Sequence, residues 1–354
     1  MSLLTGSLRC LVTVAFIAEH SCTTNGLRQS LFNPINFNIK TMQPILIVHG
    51  GAGDIPQSRV AGKLNGVKDA VRAGYTILQN GGSALDAAEA AVASMELDEN
   101  FNAGYGSVLN LRGEVEMEAS IMRGSDLNVG GVTLVKEFLH PIKIAHKVLT
   151  DSPHSLLGGE GAKLFALEKG FQPIPSESLI TEHAKEALEN FLKHGDHGRT
   201  EIGSPDKGGV GTVGAVAVDA KGHVAAATST GGMSGKAVGR IGDTPQIGSG
   251  TYADDNLGGV STTGHGESIL KYCLAHSIVK LMESGLDAQT ATTKAVNGMT
   301  SKLKNTAGAI TLSKDGNVGV HFSSKRMAWA YVKANLIFYG IEQSEILEEA
   351  YKAK

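Results

Sequence analysis

Residues 208–232 read GGVGTVGAVAVDAKGHVAAATSTGG, and this stretch sets the pattern from which the fold is inferred. The apolar run that begins at Thr212 is typical of a strand, residues 219–222 are typical of a turn, and the run up to Thr230 predicts a returning strand. A glycine-rich segment ending at Gly211 precedes this hairpin. The junction therefore places a single hydroxyl between an irregular segment and a rigid strand.

The rest of the chain mixes further strands and helices with a second hairpin. Ser83 is predicted to cap a helix that has Asp86 in its first turn. Predicted strands cover residues 44–54, 114–122 and 129–135, the second hairpin covers 309–323, and predicted helices cover 59–79, 83–98, 266–284 and 287–303, with two or three short ones within 140–193. This order predicts an α+β fold in which helices pack on the faces of sheets.

Composition suits one large globular domain or two moderate ones and argues against several kinds of partner. The 354 residues are 42% hydrophobic, and the formal net charge is −3 with the two signs well mixed. Because no basic stripe is present, we expect neither nucleic acid nor a membrane as a partner. The 45 glycines cluster between apolar runs, where they indicate tight turns and backbone that lines a ligand.

The cysteines indicate a reducing compartment, so a cytoplasmic protein is expected. Cys10 and Cys22 lie near the N-terminus, and Cys273 is the one cysteine of the remaining chain, so no disulfide framework is predicted. Cys273 lies in an apolar helical run and is predicted to be a buried structural thiol.

The first 41 residues form a separate segment with three interpretations. Residues 8–18 contain one basic residue and then a short apolar run, like the front of a signal peptide. No clear cleavage site follows this run. The run is too short to span a bilayer. A dispensable leader before an alternative start at Met42, a secretory signal and an organelle-targeting (mitochondrial) peptide all stay open.

Thr212 has an ordinary interpretation and a catalytic one. A threonine at a strand start is usually a β-branched sheet residue. Three features favour catalysis: Gly211 has no side chain to block attack on its carbonyl, residues 194–211 form a mobile linker, and the following strand would hold the hydroxyl rigidly. Attack on the Gly211 carbonyl would make Thr212 a chain end, whose amine can serve as the base for its own hydroxyl. The sequence thus predicts self-cleavage between Gly211 and Thr212.

Two glycine motifs and one acidic run are assigned no catalytic chemistry. The G-x-G-x-x-G pattern at 209–214 matches a dinucleotide fingerprint, but a strand follows it instead of a helix. The HGGAG motif at 49–53 is like the oxyanion glycines of esterases, but the chain has no G-x-S-x-G elbow, so a turn at a strand end is predicted. No metal site is expected, since no Cys, His and Asp set has zinc spacing, and Glu114, Glu116 and Glu118 are predicted to form a solvated strand face.

Two further stretches have the chemistry to bind a substrate. Arg240 and Asp243 stand among glycines, and an arginine fork followed by a carboxylate suits the two charges of a free amino acid. A surface loop with two solvated charges is the alternative. Thr263 and Gly264 precede a predicted helix and indicate either an oxyanion site or a helix cap, and His265 is interpreted as a loop histidine.

The ordered motifs of the chain resemble those of the plant-type L-asparaginase and isoaspartyl peptidase family of N-terminal-nucleophile hydrolases. They are HGGAGD, NGGSALDAAEAAV, FNAGYGSVLN, EVEMEASIM, GTVGAVAVD, ATSTGG, VGRIGD and STTGHGESIL. The match extends from about Pro44 to the C-terminus. The resemblance implies a four-layer αββα sandwich, built from an α subunit of residues 42–211 and a β subunit of residues 212–354 that stay associated.

The resemblance also implies a catalytic set. Thr212 would be the nucleophile, Thr230 would help to steer its proton, and Asn102 would hydrogen-bond near the nucleophile. Thr263 and Gly264 would form the oxyanion hole.

A substrate-binding set is implied in the same way. Its members would be Arg240, Ile241, Gly242, Asp243, Thr263, Gly264, His265 and Gly266. Arg240 would bind the substrate α-carboxylate and Asp243 its α-amine. No cofactor is expected, although the loop before Asn102 resembles one that binds a structural sodium through backbone carbonyls. A dimer of αβ units is implied as the assembly.

The predicted activity is hydrolysis of the side-chain amide of L-asparagine and of β-aspartyl dipeptides, both of which contain the same aspartyl α-carboxylate and α-amine. A glycosylasparaginase is the alternative enzyme, although that branch has a signal peptide and disulfides. An uncleaved scaffold without activity is the alternative from another class.

Overall fold

The computed structural model describes residues 42–195 and 211–352, whose strands and helices form two sheets flanked by helices. The strands are β1 (Ile45–Gly53), β2 (Met117–Arg123), β3 (Val129–Val135), β4 (Leu156–Gly158), β5 (Val213–Val218), β6 (Val224–Thr230), β7 (Thr251–Asp254), β8 (Gly258–Gly264), β9 (Ala307–Ser313), β10 (Val318–Phe322), β11 (Arg326–Lys333), β12 (Leu336–Gly340) and β13 (Leu347–Ala350). The helices are α1 (Gln57–Gln79), α2 (Ala84–Met95), α3 (Pro141–Asp151), α4 (Gly159–Glu168), α5 (Glu182–His194), α6 (Gly266–Tyr272), α7 (Leu274–Glu283) and α8 (Ala288–Leu303).

The larger sheet has β1, β5 and β6 at its centre. Its strand order within the described residues is β13-β12-β11-β1-β5-β6-β2-β3-β4, and only the β3–β4 pair is parallel. The smaller sheet has the order β10-β9-β8-β7. Strands β1 and β5 are buried along their whole length, which explains why both have a nearly continuous apolar sequence.

Three apolar clusters separate the layers of the molecule. The first cluster joins helices α1–α3 to one face of the larger sheet and includes Val71 and Leu46. The second lies between the two sheets and includes Val216 and Ile310. The third joins the smaller sheet to α6–α8 and includes Val260. The order helix, sheet, sheet, helix confirms the predicted αββα sandwich.

Local signals predicted several elements correctly. Both hairpins form, and Ser83 caps α2 by accepting a hydrogen bond from the Asp86 amide at 3.1 Å. The helix predicted over 266–284 is instead two helices, because Cys273 takes a positive φ of 51° between α6 and α7. Cys273 is exposed, so the prediction of a buried thiol is wrong: the break interrupts the helical periodicity on which that prediction depended.

Six strands were missed. Strand β4 lies within residues 140–193, where the sequence predicted only short helices. Strand β7 and most of β8 fall in stretches interpreted as a loop and a helix cap, and β11–β13 follow the last predicted element. The sequence of β8, GGVSTTG, has few apolar residues, yet six of its seven residues are buried between neighbouring layers. Tertiary burial therefore supplies the stability that strand propensity alone does not indicate.

Two predicted segments lie mainly outside the described residues. They are the leader at 1–41 and residues 196–210 of the linker. At its start the linker prediction is wrong, because α5 extends to His194. Within the described ranges, no helix is both long and apolar enough to cross a bilayer.

Candidate active site at the start of strand β5

The hairpin register brings Thr212 and Thr230 together. Val213 pairs with Ser229 across β5 and β6, so the residue before Val213 faces the residue after Ser229. The Thr212 hydroxyl donates to the Thr230 hydroxyl at 3.1 Å, and both side chains are buried.

The glycines of the HGGAG motif lie inside β1, where the pairing with β11 shifts register between His49 and Ala52, and they pack against the residue before Thr212. A Cβ atom on Gly51 would lie 2.4 Å from the Gly211 Cα, and one on Gly211 would lie 2.6 Å from the Gly51 Cα. Gly51 also has a positive φ of 96°, which favours glycine. The prediction of a turn at a strand end is therefore wrong, because strand β1 continues through Gly53 after a register shift, and the backbone of the HGGAG motif supports the residue next to the candidate nucleophile.

Thr263 and Gly264 end strand β8 beside the HGGAG segment of β1. The Thr263 hydroxyl oxygen accepts a hydrogen bond from the Ala52 amide at 3.2 Å. A hydroxyl that accepts in this way keeps its own proton as a donor. Gly264 has a φ of 129°, and a Cβ there would lie 2.7 Å from the Ala307 Cα. Neither residue is a helix cap, because the strand continues through Gly264 and the cap of α6 is His265.

Asn102 supports the backbone that follows Thr230. Its side-chain amide donates to the Gly232 carbonyl at 2.6 Å, and its main-chain carbonyl oxygen accepts from the Gly231 amide at 2.9 Å. Asn102 therefore acts on the backbone after Thr230, and none of its hydrogen bonds described here is to the Thr212 hydroxyl. Its role as a hydrogen-bond partner near the nucleophile stays a prediction.

Arg240 and Asp243 are side chains of opposite charge on the loop after β6. The Arg240 guanidinium makes two hydrogen bonds of 2.9 Å to the two carboxylate oxygens of Glu267. Asp243 is buried, and this burial raises its pKa to about 7, although the nearby Arg240 opposes the shift. A carboxylate in such a place binds a cation more strongly than one in water, because the low dielectric screens the charges less.

A small cleft is lined by half of the predicted site residues. Its lining residues are Thr212, Thr230, Gly232, Met233, Arg240, Asp243, Gly264 and Gly266. Gly232 and Met233 were not predicted. Six predicted residues do not line the cleft: Asn102, Gly211, Ile241, Gly242, Thr263 and His265. The Ile241 side chain is exposed, and the His265 ring hydrogen-bonds to the Ser268 hydroxyl at 2.9 Å.

A chain of buried hydroxyls extends from the site between the two sheets. The His49 ring bonds to Ser261, whose hydroxyl bonds to Thr228, and the chain continues through Thr251 to Ser120, with donor–acceptor distances of 2.6–2.9 Å. Burial lowers the His49 pKa to about 3, so its imidazole is neutral at physiological pH. Such a buried polar network helps to fix the strands that end at the cleft, although the His49 Nδ1 atom has no hydrogen-bond partner among the described atoms.

Lys63 is a buried cation that the sequence did not single out. Its ammonium donates to the Gly50 carbonyl at 2.8 Å and lies 4.9 Å from the centre of the Phe101 ring. Burial lowers its pKa to about 7. Because Gly50 precedes Gly51, Lys63 holds the segment of β1 that supports Gly211.

The acidic face of β2 is mostly buried, so the prediction of a solvated face is wrong. Glu118 is fully buried and Glu116 is 3% exposed, whereas the Glu114 side chain is 42% exposed. Both buried carboxylates accept hydrogen bonds from the backbone of the loop that contains Arg240. Strand alternation predicted one shared face correctly, but that loop covers most of it.

The described residues contain no cluster of three or more His, Cys, Asp and Glu side chains arranged to hold a metal ion. In the loop before Asn102, the carbonyls of Glu96 and Glu99 accept hydrogen bonds from the Tyr105 amide and the Arg59 guanidinium. Each of these oxygens keeps a second lone pair, which suits a hard cation such as sodium.

The fold and the cleft define a class of protein. An αββα sandwich with a threonine at the start of a central strand is the architecture of an N-terminal-nucleophile hydrolase. The asparaginase family model matches residues 42–341, and the chain belongs to this family.

Curated relatives match over nearly their whole length. A probable isoaspartyl peptidase/L-asparaginase of Drosophila melanogaster is 49% identical, over 87% of this chain and 98% of the relative. The isoaspartyl peptidase/L-asparaginase of Xenopus laevis is 46% identical over 86% and 97%, and that of Homo sapiens is 45% identical over 86% and 98%.

Proposed function

We propose that the chain cuts itself between Gly211 and Thr212, and that the freed Thr212 hydrolyses L-asparagine and β-aspartyl dipeptides. One observation carries the proposal: a threonine hydroxyl at the start of a central strand lines the same cleft as an arginine and a carboxylate. The names of the relatives join the same two activities, isoaspartyl peptidase and L-asparaginase.

Self-cleavage needs a hydroxyl next to an unhindered carbonyl. The Thr212 hydroxyl attacks the Gly211 carbonyl carbon, the peptide C–N bond breaks, and the acyl group passes from nitrogen to oxygen. Water then hydrolyses this ester, leaving a carboxylate on Gly211 and a free amine on Thr212. An α-amine has an ordinary pKa near 8, so it can serve as the base for its own hydroxyl.

Substrate hydrolysis would use the same hydroxyl. Arg240 binds the substrate α-carboxylate through its fork, and Asp243 binds the α-ammonium. Thr212 attacks the β-carbonyl while Thr263 and Gly264 stabilise the charge on its oxygen. The Thr212 amine passes the proton to the leaving nitrogen, and water hydrolyses the β-aspartyl ester to release L-aspartate.

The shared aspartyl part explains why two substrate types fit one mechanism. L-asparagine loses ammonia, and a β-aspartyl dipeptide loses an amino acid, from the same β-carbonyl. No observation favours a glycosylasparaginase, since none of the relatives above has that name.

Intact-mass spectrometry followed by substrate assays tests the proposal. We expect incubated protein to yield a fragment of 143 residues that begins at Thr212, plus a fragment that ends at Gly211. The cleaved protein should release ammonia from L-asparagine and an amino acid from a β-aspartyl dipeptide. A single uncleaved mass without ammonia release would support the inactive scaffold, and turnover of N-glycosylated asparagine alone would support the glycosylasparaginase.

Binding of the product L-aspartate should depend on pH through Asp243. Burial raises the Asp243 pKa to about 7, so the carboxylate is ionised above that pH and neutral below it. Because only the ionised form attracts the ammonium, the affinity should fall about tenfold per unit as the pH drops below 7. Calorimetry between pH 5.5 and 8.5 measures this, and a constant affinity over that range would contradict the assignment.

Subunits, assembly, sodium and location are further proposals. We propose an α subunit of residues 42–211 and a β subunit of residues 212–354. The pairing of β1 with β5 supports their association after cleavage. A dimer of αβ units and a structural sodium in the loop before Asn102 are supported by the family membership and, for sodium, by the carbonyls of that loop. A cytoplasmic location is supported by the low cysteine count.

A further inference from the structure

Two glutamates of β2 lie beneath the loop that contains Arg240. Glu116 and Glu118 are alternate residues of the segment that leads into and forms β2, so they project to the same face. The Glu116 carboxylate accepts from the Gly239 amide at 3.2 Å. Both Glu118 oxygens accept from the Gly242 amide, at 3.1 and 3.2 Å. The two carboxylates thus hold the backbone on either side of Arg240.

A third contact joins the same loop to β2. The Lys236 ammonium donates to the Glu116 main-chain carbonyl at 2.5 Å and is almost fully buried. A Cβ on Gly232 would lie 3.0 Å from the Lys236 Nζ and 3.2 Å from an Arg240 Nη, so the two cations approach the same point at the edge of the cleft.

Glu118 faces both cations from within the protein. Burial raises the Glu118 pKa, while Lys236, Arg240 and the Gly242 amide all favour its charged form. A buried carboxylate is strongly unfavourable unless it is paired and hydrogen-bonded. The buried Glu118 carboxylate is compensated by the charges of Lys236 and Arg240 and by the Gly242 amide.

We propose that Glu118 is a positioning residue for substrate binding, which rests on the proposed function of Arg240 and Asp243. Gly242 lies between these two residues, and its amide is fixed by the Glu118 carboxylate. The anchored peptide orients the Arg240 guanidinium toward the substrate α-carboxylate. It also orients the Asp243 carboxylate toward the substrate α-ammonium. Without the anchor, binding must order this loop, and that ordering reduces affinity.

The central test compares Glu118→Gln with Glu114→Gln in the otherwise complete chain. Glutamine keeps the shape of Glu118 but removes its charge, and Glu114 offers a matched control because it lies on the same face but is partly exposed. We expect Glu118→Gln to raise the KM for L-asparagine and the Kd for L-aspartate about ten- to hundredfold, since hydrogen bonds to charged groups are among the stronger ones. Its kcat and its self-cleavage rate should stay within about threefold of the wild type, and Glu114→Gln should match the wild type throughout.

The readouts separate positioning from a structural role. Self-cleavage reports an intact site without using Arg240, so a variant that cuts itself normally but binds L-aspartate weakly supports the proposal. Unchanged KM and Kd in Glu118→Gln, or a loss of kcat at constant KM, would overturn it. If wild-type protein neither cuts itself nor releases ammonia, the proposed function fails instead.

A second variant decides the matter if Glu118→Gln does not fold. Glu118→Asp keeps the charge but withdraws the carboxylate by one methylene group, so the contact to Gly242 lengthens. We expect normal self-cleavage with a several-fold increase in the Kd for L-aspartate. Wild-type affinity in this variant would overturn the proposal.

Discussion

Replacing Thr212 with alanine is expected to leave the chain as a single uncleaved polypeptide without measurable hydrolysis of L-asparagine. The substitution removes the hydroxyl that both reactions need, while the pocket around it stays filled by the same neighbours. Loss of a nucleophile lowers the turnover of a hydrolase by on the order of a millionfold. Intact-mass spectrometry after prolonged incubation, combined with an ammonia assay, measures both effects.

Thr212→Ser is the matched control for this prediction. Serine keeps the hydroxyl that bonds to Thr230 and loses only a methyl group, so self-cleavage and turnover should persist at reduced rates. If the alanine variant still yields the 143-residue fragment, or if cleaved protein begins at another residue, Thr212 is not the nucleophile.

Replacing Arg240 with alanine should lower kcat/KM for L-asparagine by on the order of 10²–10³ without stopping self-cleavage. The guanidinium is mostly buried and is the cation assigned to the substrate α-carboxylate. Truncating one partner of a buried charge pair costs roughly 2–5 kcal/mol. Arg240→Lys should recover little, because lysine lacks the planar fork that binds two oxygens at once.

Arg123 provides a control for the loss of an arginine as such. It also makes a two-point contact with a carboxylate, that of Asp126, but at an exposed position. Arg123→Ala should therefore leave kcat/KM unchanged. L-aspartate binding of wild-type strength in Arg240→Ala would show that another group holds the α-carboxylate.

The juxtaposition of Thr212 and Thr230 follows from local sequence. The turn at residues 219–222 fixes the pairing of β5 with β6, and this register alone sets the two hydroxyls opposite each other. Local order also explains why Ser83 was recognised as a cap, since its partner Asp86 is three residues away. Signals of this range can be read without the rest of the fold.

The remaining contacts of the site join distant parts of the chain. Ala52 and Thr263 are 211 residues apart, and the Gly242–Glu118 contact spans 124 residues. No local pattern encodes such pairs. Residue chemistry and then the resemblance to a family pointed to candidates such as Arg240 and Asp243, but neither described their surroundings, and neither gave a reason to single out Lys63.

The sequence by itself determined the hairpin that begins at Thr212, the alternation of β2 and most of the helices, because neighbouring residues decide these features. Only the tertiary structure decided which faces are covered. The alternation of Glu114, Glu116 and Glu118 fits a solvated strand and a buried one equally well. The loop around Arg240 packs over two of the three and supplies backbone amides to their carboxylates. Whether a charged side chain is tolerated inside a protein depends on the partners that the fold brings to it from far along the chain.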